Sequence, residues 1–528
     1  MMDIDEDSAA AALAESMRVL RSRSNGQVPV SRLPDEILLM VFEHIEEDKR
    51  LNGSDSDDDD KSTSDVIGDP SACLVVTHVC RHWRKVALEC PTLWTFISSP
   101  SPPWLDVMLE RSQKAPLVVI YSAFTISLED SMEKVHLHLP RIKHLELSTF
   151  SYEADHVMDL LSSQPAPMLE TFKFKIYSSI PTPAFTSNTI FQGQAPLLRH
   201  LEVDYCDRIW SSCIFDGLRT LRVGRTLLLD LLSALRCMPA LERLTLLSGL
   251  STSDQPILFN KVPLARLKSI ALDGISLQNA VSLLAHLALP IDVKIALQLS
   301  PITGPHTFAD LFSVMGEHPD GSGPVFRSLR AIKPNPSGLA VQFSTSTTIN
   351  SHYSWNPQDD DIRLSIEFYN EDLEAHPNGP PFDEIPRDTA INICQIIAQR
   401  RPQAFFSGEF ESIQVQGCSN FIGGLTAALR IEGSSNVTYP SLRVLELRDI
   451  LFGGHELQDL RDVFIMRAQH NVPVHDLRFR LCKDLTADQM QLFQGVVVND
   501  IDCDQYTLDH SLRLDRGFRT TAATLFPY

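Results

Sequence analysis

The sequence predicts an α/β chain: a small helical module at the amino end, then a long, irregular solenoid in which short strands alternate with helices. Three observations carry that prediction. Residues 28–97 hold two amphipathic stripes separated by an acidic insertion. From residue 142 onward a short phrase returns: an apolar residue, two variable ones, an apolar, one variable, an apolar. Between the phrases, apolar residues recur at helical spacing rather than alternating. At 528 residues the chain is also too long for one ordinary core, so repetition or several units are expected.

Composition narrows the function classes. With 43% hydrophobic and 21% charged residues the chain is ordinary for a globular protein. A net charge of -21 argues against a general binder of nucleic acid or of anionic membranes. The charge is uneven: residues 1–72 hold 18 Asp and Glu against 7 Lys and Arg, a net of -11, which leaves -10 for the rest. Met1 is followed by acidic residues, not by a basic segment and an apolar run, and no apolar run is long enough to span a bilayer. An intracellular protein, cytoplasmic and/or nuclear, is expected. The ten cysteines form no CxxC pair, and Cys80 and Cys394 fall inside apolar stripes, as reduced buried cysteines do.

Along the chain, residues 1–27 are polar with one helical stripe, Leu13, Met17 and Leu20, and read as disorder or a short accessory helix. In VPVSRLPDEILLMVFEHI, Pro34 sits where a helix starts without losing a hydrogen bond, and Asp35 and Glu36 complement its positive end. Ile37, Leu38, Val41, Phe42 and Ile45 follow at helical spacing. ACLVVTHVCRHWRKVALEC reads as a second helix with a stripe of Ala72, Val76, Val79, Cys80, Trp83, Val86 and Ala87, ended by Pro91. Residues 46–71 between them read as a disordered acidic insertion. Lengthening a loop costs only about 0.6 kcal/mol per doubling, so it need not break the module.

The order LPDEIL, VCRHW, PTLW over residues 28–97 resembles an F-box, specifically the F-box-like variant common in fungal proteins. The resemblance implies a helical docking element that binds a Skp-type adaptor and so joins an SCF-type cullin-RING ubiquitin ligase. It also implies that Leu33, Pro34, Ile37, Leu38, Val79, Trp83, Leu93 and Trp94 form the adaptor surface or its immediate support.

Residues 98–115 read as a connector with one helix, WLDVMLERSQ, and PLVVIYS as a first strand. The phrase then appears as IKHLEL from Ile142, LETFKF from Leu169, LRHLEV from Leu198, LRTLRV from Leu218, LERLTL from Leu241 and LKSIAL from Leu267. The gaps are 27, 29, 20, 23 and 26 residues, and ADHVMDLLSS, LLLDLLSALRCM and SLQNAVSLLAHL between them read as helices. This resembles irregular leucine-rich repeats, with a solenoid spanning residues 116–504. A regular repeat wants Asn or Cys three residues past the phrase. Here Phe150, Tyr177, Cys206, Thr226, Gly249 and Ile275 stand there, and only Cys206 fits. Residues 291–420 lose the phrase: IDVKIALQL, GLAVQFST and DIRLSIEFY suit longer half-exposed strands, with HYSWNPQDDD as a surface loop. LRVLEL from Leu442 and VHDLRF from Val474 restore it, GVVVNDIDC reads as the last strand, and residues 505–528 form a tail.

Within each phrase the variable positions point away from the core. They nominate Lys173, Lys175, His200, Glu202, Asp204, Arg222 and Arg243 for contact with a target protein, with Thr245, Glu446, Arg448, Arg478 and Arg480 on the same pattern. Their mixed sign suits a protein partner better than a polyanion. Asp55, Asp57, Asp58, Asp59 and Asp60 fail as a calcium loop, because Asp60 stands where Gly and Val66 where Glu is needed. Ser54 and Ser56, each with Asp three residues on, match acidophilic phosphorylation. On one continuous helix His78 and His82 would share a face with Cys80 nearly opposite, so no metal is expected. No GxxxxGK[ST], HExxH or GxSxG occurs. The reading is therefore a non-catalytic substrate receptor without cofactor. The rival readings are a leucine-rich-repeat scaffold whose N-terminal helices are only a cap, and an unrecognised hydrolase.

Overall fold

Alternation of apolar and polar residues in the phrases, and helical periodicity between them, produce parallel strands joined by helical crossovers. The computed structural model describes residues 3–54, 72–98, 102–122, 128–177, 189–205, 215–247, 249–251, 260–299, 308–315, 326–332, 338–346, 362–369, 410–431, 437–453, 455–482, 485–499 and 501–504. The loop at 352–361, the acidic run at 55–60, Ser56, Cys206, Cys394 and the tail at 505–528 lie outside them. Two units emerge, Met1–Leu218 and Arg219–Tyr528. Both are mixed α/β with a mostly parallel sheet.

The first unit opens with α1 (Asp3–Gly26), α2 (Asp35–Ser54), α3 (Ala72–Thr77) and α4 (Arg81–Glu89). Then follow β1 (Phe96–Ser98), α5 (Pro102–Arg111), β2 (Leu117–Tyr121), α6 (Leu128–Val135), β3 (Ile142–Phe150), α7 (Ser151–Ser162), β4 (Thr171–Tyr177) and β5 (His200–Tyr205). β1 through β5 pair in sequence order, all parallel, with Leu145 beside Phe172 and Phe172 beside Leu201. These apolar positions are buried with Val157, Met158 and Leu161 of α7, and Phe172 meets Phe191 edge to face at 5.2 Å.

Two readings of the helices change. α2 does not end at the acidic insertion but runs on to Ser54, because Glu46 through Leu51 are good helix formers and no Gly or Pro intervenes before Gly53. The second helix is two helices. Thr77 Oγ1 bonds back to the Leu74 carbonyl at 2.7 Å, and Cys80 leaves helical geometry to cap α4, its Sγ accepting from the Trp83 N–H at 3.4 Å. Cys80 is thus a cap and not part of a stripe, and His78 and His82 lie on either side of the break.

The second unit carries β6 (Thr220–Leu227), α8 (Leu228–Leu235), β7 (Arg243–Leu246), β8 (Leu250–Ser251), β9 (Val262–Pro263), β10 (Ser269–Ile275), α9 (Leu277–Ala285), β11 (Leu287–Ala288), β12 (Lys294–Leu299) and α10 (Phe308–Met315). Its remainder holds β13 (Ser328–Ile332), β14 (Gly338–Ser344), β15 (Ile362–Tyr369), β16 (Ser412–Gln416), α11 (Ser419–Leu429), β17 (Val444–Arg448), α12 (Glu456–Gln469), β18 (Asp476–Arg480), α13 (Ala487–Gln491) and β19 (Asp502–Cys503). The sheet runs β6, β7, β10, β12, β15, β14, β13, β16, β17, β18, β19. Only β14 is antiparallel to its neighbours within that run. The stretch without the phrase is therefore a meander spliced into the parallel ladder. β12 alternates buried and half-buried residues as expected, but β13, β14 and β15 are not half-exposed: Ser328, Arg330, Gln342, Ser344 and Ser365 are buried along with the apolar face. Among the described residues of GVVVNDIDC, only Asp502 and Cys503 are strand; Val497 is buried ahead of them in a bend.

One turn precedes phrase after phrase. The N–H of the leading leucine bonds to the carbonyl three residues back: Leu169 to Ala166, Leu198 to Ala195, Leu241 to Met238 and Leu442 to Tyr439, at 3.1 to 3.2 Å. Pro167, Pro196, Pro239 and Pro440 stand second in these turns, where a fixed φ favours the bend. The residue after that leucine alternates in sign between neighbours. Lys143 lies 3.4 Å from Glu170, and in the second unit Glu242 sits between Arg219 (3.7 Å) and Lys268 (2.7 Å). Gly249 has φ +108°, and a Cβ there would run into the Arg225 side chain, so glycine fits where the regular repeat wants Asn.

Candidate functional site

The N-terminal helices begin with a turn, Pro29–Arg32, that delivers Leu33 and Pro34. The Pro34 carbonyl accepts the first helical N–H groups, from Ile37 and Leu38, both at 3.1 Å, which places Asp35 and Glu36 where the helix dipole favours acids. α2 then presents two apolar stripes instead of one. Leu38 (0% exposed) and Phe42 (1%) enter the core of the module. Ile37 (41%), Met40 (64%), Val41 (39%) and Ile45 (36%), spaced i, i+3, i+4, i+8, face outward. Val75 and Val79, on and just after the helix packed against α2, are exposed as well.

The core beneath is built from Leu38, Phe42, Val76, Val86, Ala87, Leu93 and Trp94. Half-buried Trp83 closes it, its ring 5.0 Å from that of Phe42. Thr92 Oγ1 donates to Glu43 Oε1 at 2.9 Å and ties the PTLW turn back to α2. Of the eight residues nominated for adaptor contact, Pro34, Ile37 and Val79 lie on the surface and Leu33 and Trp83 are half-buried. Leu38, Leu93 and Trp94 have no exposed surface to offer and are support. Sequence reasoning left Met40 out, although it completes the outward stripe.

The outward face of the first unit's strands gathers the other nominated residues. In register, Glu146 of β3 stands beside Lys173 of β4, and Lys173 beside Glu202 of β5. Lys173 Nζ is 3.1 Å from Glu146, and Lys175 Nζ is 3.6 Å from Glu202. Asp204 accepts the Ile176 backbone N–H at 3.2 Å, and His200 stands beside Thr171. His144, 3.7 Å from Glu146, and then Lys173 hold the Glu146 carboxyl down at about 2 against the burial that pushes it up. Glu146 and His144 were missed, yet IKHLEL carries them at the same positions that nominate Glu202 and His200. Past the strand ends, the rings of Phe150 and Tyr152 stack at 5.7 Å and Phe150 meets Tyr177 at 6.4 Å, with both tyrosines exposed.

In the second unit Arg222 stands beside Thr245, and Arg243 donates to Thr220 Oγ1 at 3.1 Å. Burial pushes the Asp273 carboxyl up, against the opposing charge of Arg222. Further along, Glu446 stands beside Arg478 and accepts from Gln414 at 2.9 Å; Arg448 stands beside Arg480, which pairs with Asp502. The first unit's face is a ladder of opposite charges, and that of the second mixes such pairs with like neighbours such as Arg448 and Arg480. A cleft lined by Pro263, Leu284, Leu287, Val314 and Met315 offers a single titratable group, Lys261. Among the described residues no three His, Cys, Asp or Glu side chains gather as a metal-binding group, and no helix is long and apolar enough to cross a membrane. Comparison with protein-family models and with curated proteins finds no match to this chain.

Proposed function

We propose that the chain is the substrate-receptor subunit of an SCF-type cullin-RING ubiquitin ligase. In this reading residues 28–97 are an F-box-like module that binds a Skp-type adaptor. The strands and helices that follow form an irregular leucine-rich-repeat solenoid that holds a target protein. The contribution to ubiquitin transfer is proximity, and the transferring cysteine belongs to another subunit.

The observation that supports the reading is the second stripe on α2. One apolar face is enough to build the module's core, and Leu38 and Phe42 supply it. A further row of Ile37, Met40, Val41 and Ile45 left in water is the mark of a surface that another protein covers. The mixed-charge strand faces suit recognition of a folded target, with selectivity set by complementarity.

Capture of a purified Skp-type adaptor by the full chain, at micromolar concentrations, tests it. The wild type is expected to retain the adaptor, and Ile37→Glu with Val79→Glu to lose it at an unchanged melting temperature. No retention by folded wild-type chain, or equal retention by the variant, overturns the reading in favour of a repeat scaffold with a helical cap.

A further inference from the structure

The longest helix described in the first unit has its apolar residues exposed. α1 spans 24 residues, roughly 36 Å, and an isolated helix in water is marginal unless an apolar stripe is covered. Its stripe is Ala10, Leu13, Met17 and Leu20, spaced three, four, three, as in a coiled-coil seam. Leu13 is 65%, Met17 46% and Leu20 64% exposed.

The helix is also polar along its length. Asp3, Asp5, Glu6 and Asp7 occupy its first turns, and Arg18, Arg21 and Arg23 its last. Arg18 is engaged with Glu15 at 2.9 Å, which leaves Arg21 and Arg23 to carry the basic end. A helix that packs on this seam favourably must run with the opposite charge order. A second copy, reversed, supplies it by symmetry.

We propose that two copies of this chain associate through their α1 helices, antiparallel about a two-fold axis. With Leu13 of one copy across from Met17 of the other, Ala10 falls across from Leu20, so a small residue meets a large one. The same register brings the acidic first turns of each helix alongside the basic last turns of the other. A parallel pair would set acid against acid and base against base at both ends. The antiparallel pair also sets the two helix dipoles in opposition. The interface is isologous and closes at two copies.

Sedimentation equilibrium of the full chain across the micromolar range tests this without any adaptor present, so its outcome is independent of the docking proposal. The wild type is expected to approach twice the 59.1 kDa of one chain. Leu13→Asp with Leu20→Asp is expected to weaken association by at least about tenfold. Two charge-reversed variants test the charged ends: Asp5→Lys, Glu6→Lys, Asp7→Lys in one, and Arg21→Glu, Arg23→Glu in the other. Each is expected to be monomeric alone and to form a dimer when the two are mixed, which a folding defect would not do. A wild type that stays monomeric overturns the proposal. So does a dimer that the Leu13 and Leu20 changes leave intact, or a mixture of the two variants that stays monomeric. Loss of adaptor capture in the Leu13 and Leu20 variant of a monomeric chain would assign the seam to the adaptor instead.

Discussion

The indole N–H of Trp94 donates to the backbone carbonyl of Ala87 at 2.9 Å. Ala87 lies in the last turn of α4, where carbonyls have no partner within the helix. The tryptophan of PTLW is therefore a cap as well as a core side chain, and the Arg111 guanidinium covers its ring at 4.4 Å. Trp94→Phe keeps most of the packing and strands the carbonyl, at a cost of about 1 to 3 kcal/mol. Trp94→Ala also opens a cavity and is expected to cost about 3 to 5 kcal/mol. Urea unfolding of the full chain, followed through the module's tryptophans, measures both. A Trp94→Phe change without effect on stability would exclude the capping role.

Ile37 and Leu38 are neighbours in sequence with opposite surroundings, the first 41% exposed and the second fully buried. Leu38→Ala is expected to destabilise by about 2 to 5 kcal/mol. Ile37→Ala is expected to change stability by less than about 0.5 kcal/mol. Chemical denaturation of the two variants separates surface from support. A stability loss at Ile37 as large as that at Leu38 would mean that the outward stripe is already covered.

The strand phrases were legible because their apolar positions and turn prolines are local, and the parallel pairing follows from helices between strands. The stripes of α2 were visible but not separable, since Leu38 and Ile37 are both large and aliphatic. Most of what escaped notice depends on partners distant in sequence, the local helix break aside. The helix break at Thr77 to Cys80 rests on side-chain bonds that compete with the backbone. Arg330 stands beside Gln342 on one side and Gln414 on the other, so a row of polar residues is buried where alternation alone suggested exposure. The second residue of each phrase, Lys143, Glu170 and Arg199 in the first unit, looked like a solvated face. Its alternation of sign makes sense only once the strands are stacked.

Arg467 of α12 is completely buried, and its two terminal nitrogens donate to the carbonyls of Thr438 (2.8 Å) and Tyr439 (2.6 Å). Tyr439 has φ +48°, so the guanidinium clamps a turn that a non-glycine residue adopts reluctantly. Burial lowers the Arg467 pKa to about 10. Arg467→Ala leaves a cavity and takes one donor from each of two carbonyls and is expected to cost about 3 to 5 kcal/mol. Arg467→Lys has no fork to span both acceptors and is expected to lose part of that. Thermal melts of both variants read the difference. Protection from hydrogen exchange should fall first at Leu442, whose N–H closes the turn on Tyr439.

Glu146 supplies the pH dependence. Its carboxyl is held at about 2 in the folded chain, against 4.5 ordinarily. A depressed carboxyl pKa contributes stability that is complete above the ordinary value and is lost as pH falls through 4.5 toward 2, because the unfolded chain takes up the proton first. The shift corresponds to at most about 3 kcal/mol, less after solvent screening, since 28% of the side chain is exposed. Glu146→Gln removes the carboxyl and with it that portion of the acid dependence. The variant is expected to be less stable than wild type at pH 7 and to approach it at pH 3, as read from urea midpoints at the two pH values. Parallel loss in both proteins between pH 7 and pH 3 would place the acid sensitivity elsewhere. Lys173→Met, which removes the next largest lowering cause after His144, is expected to narrow the same gap in part.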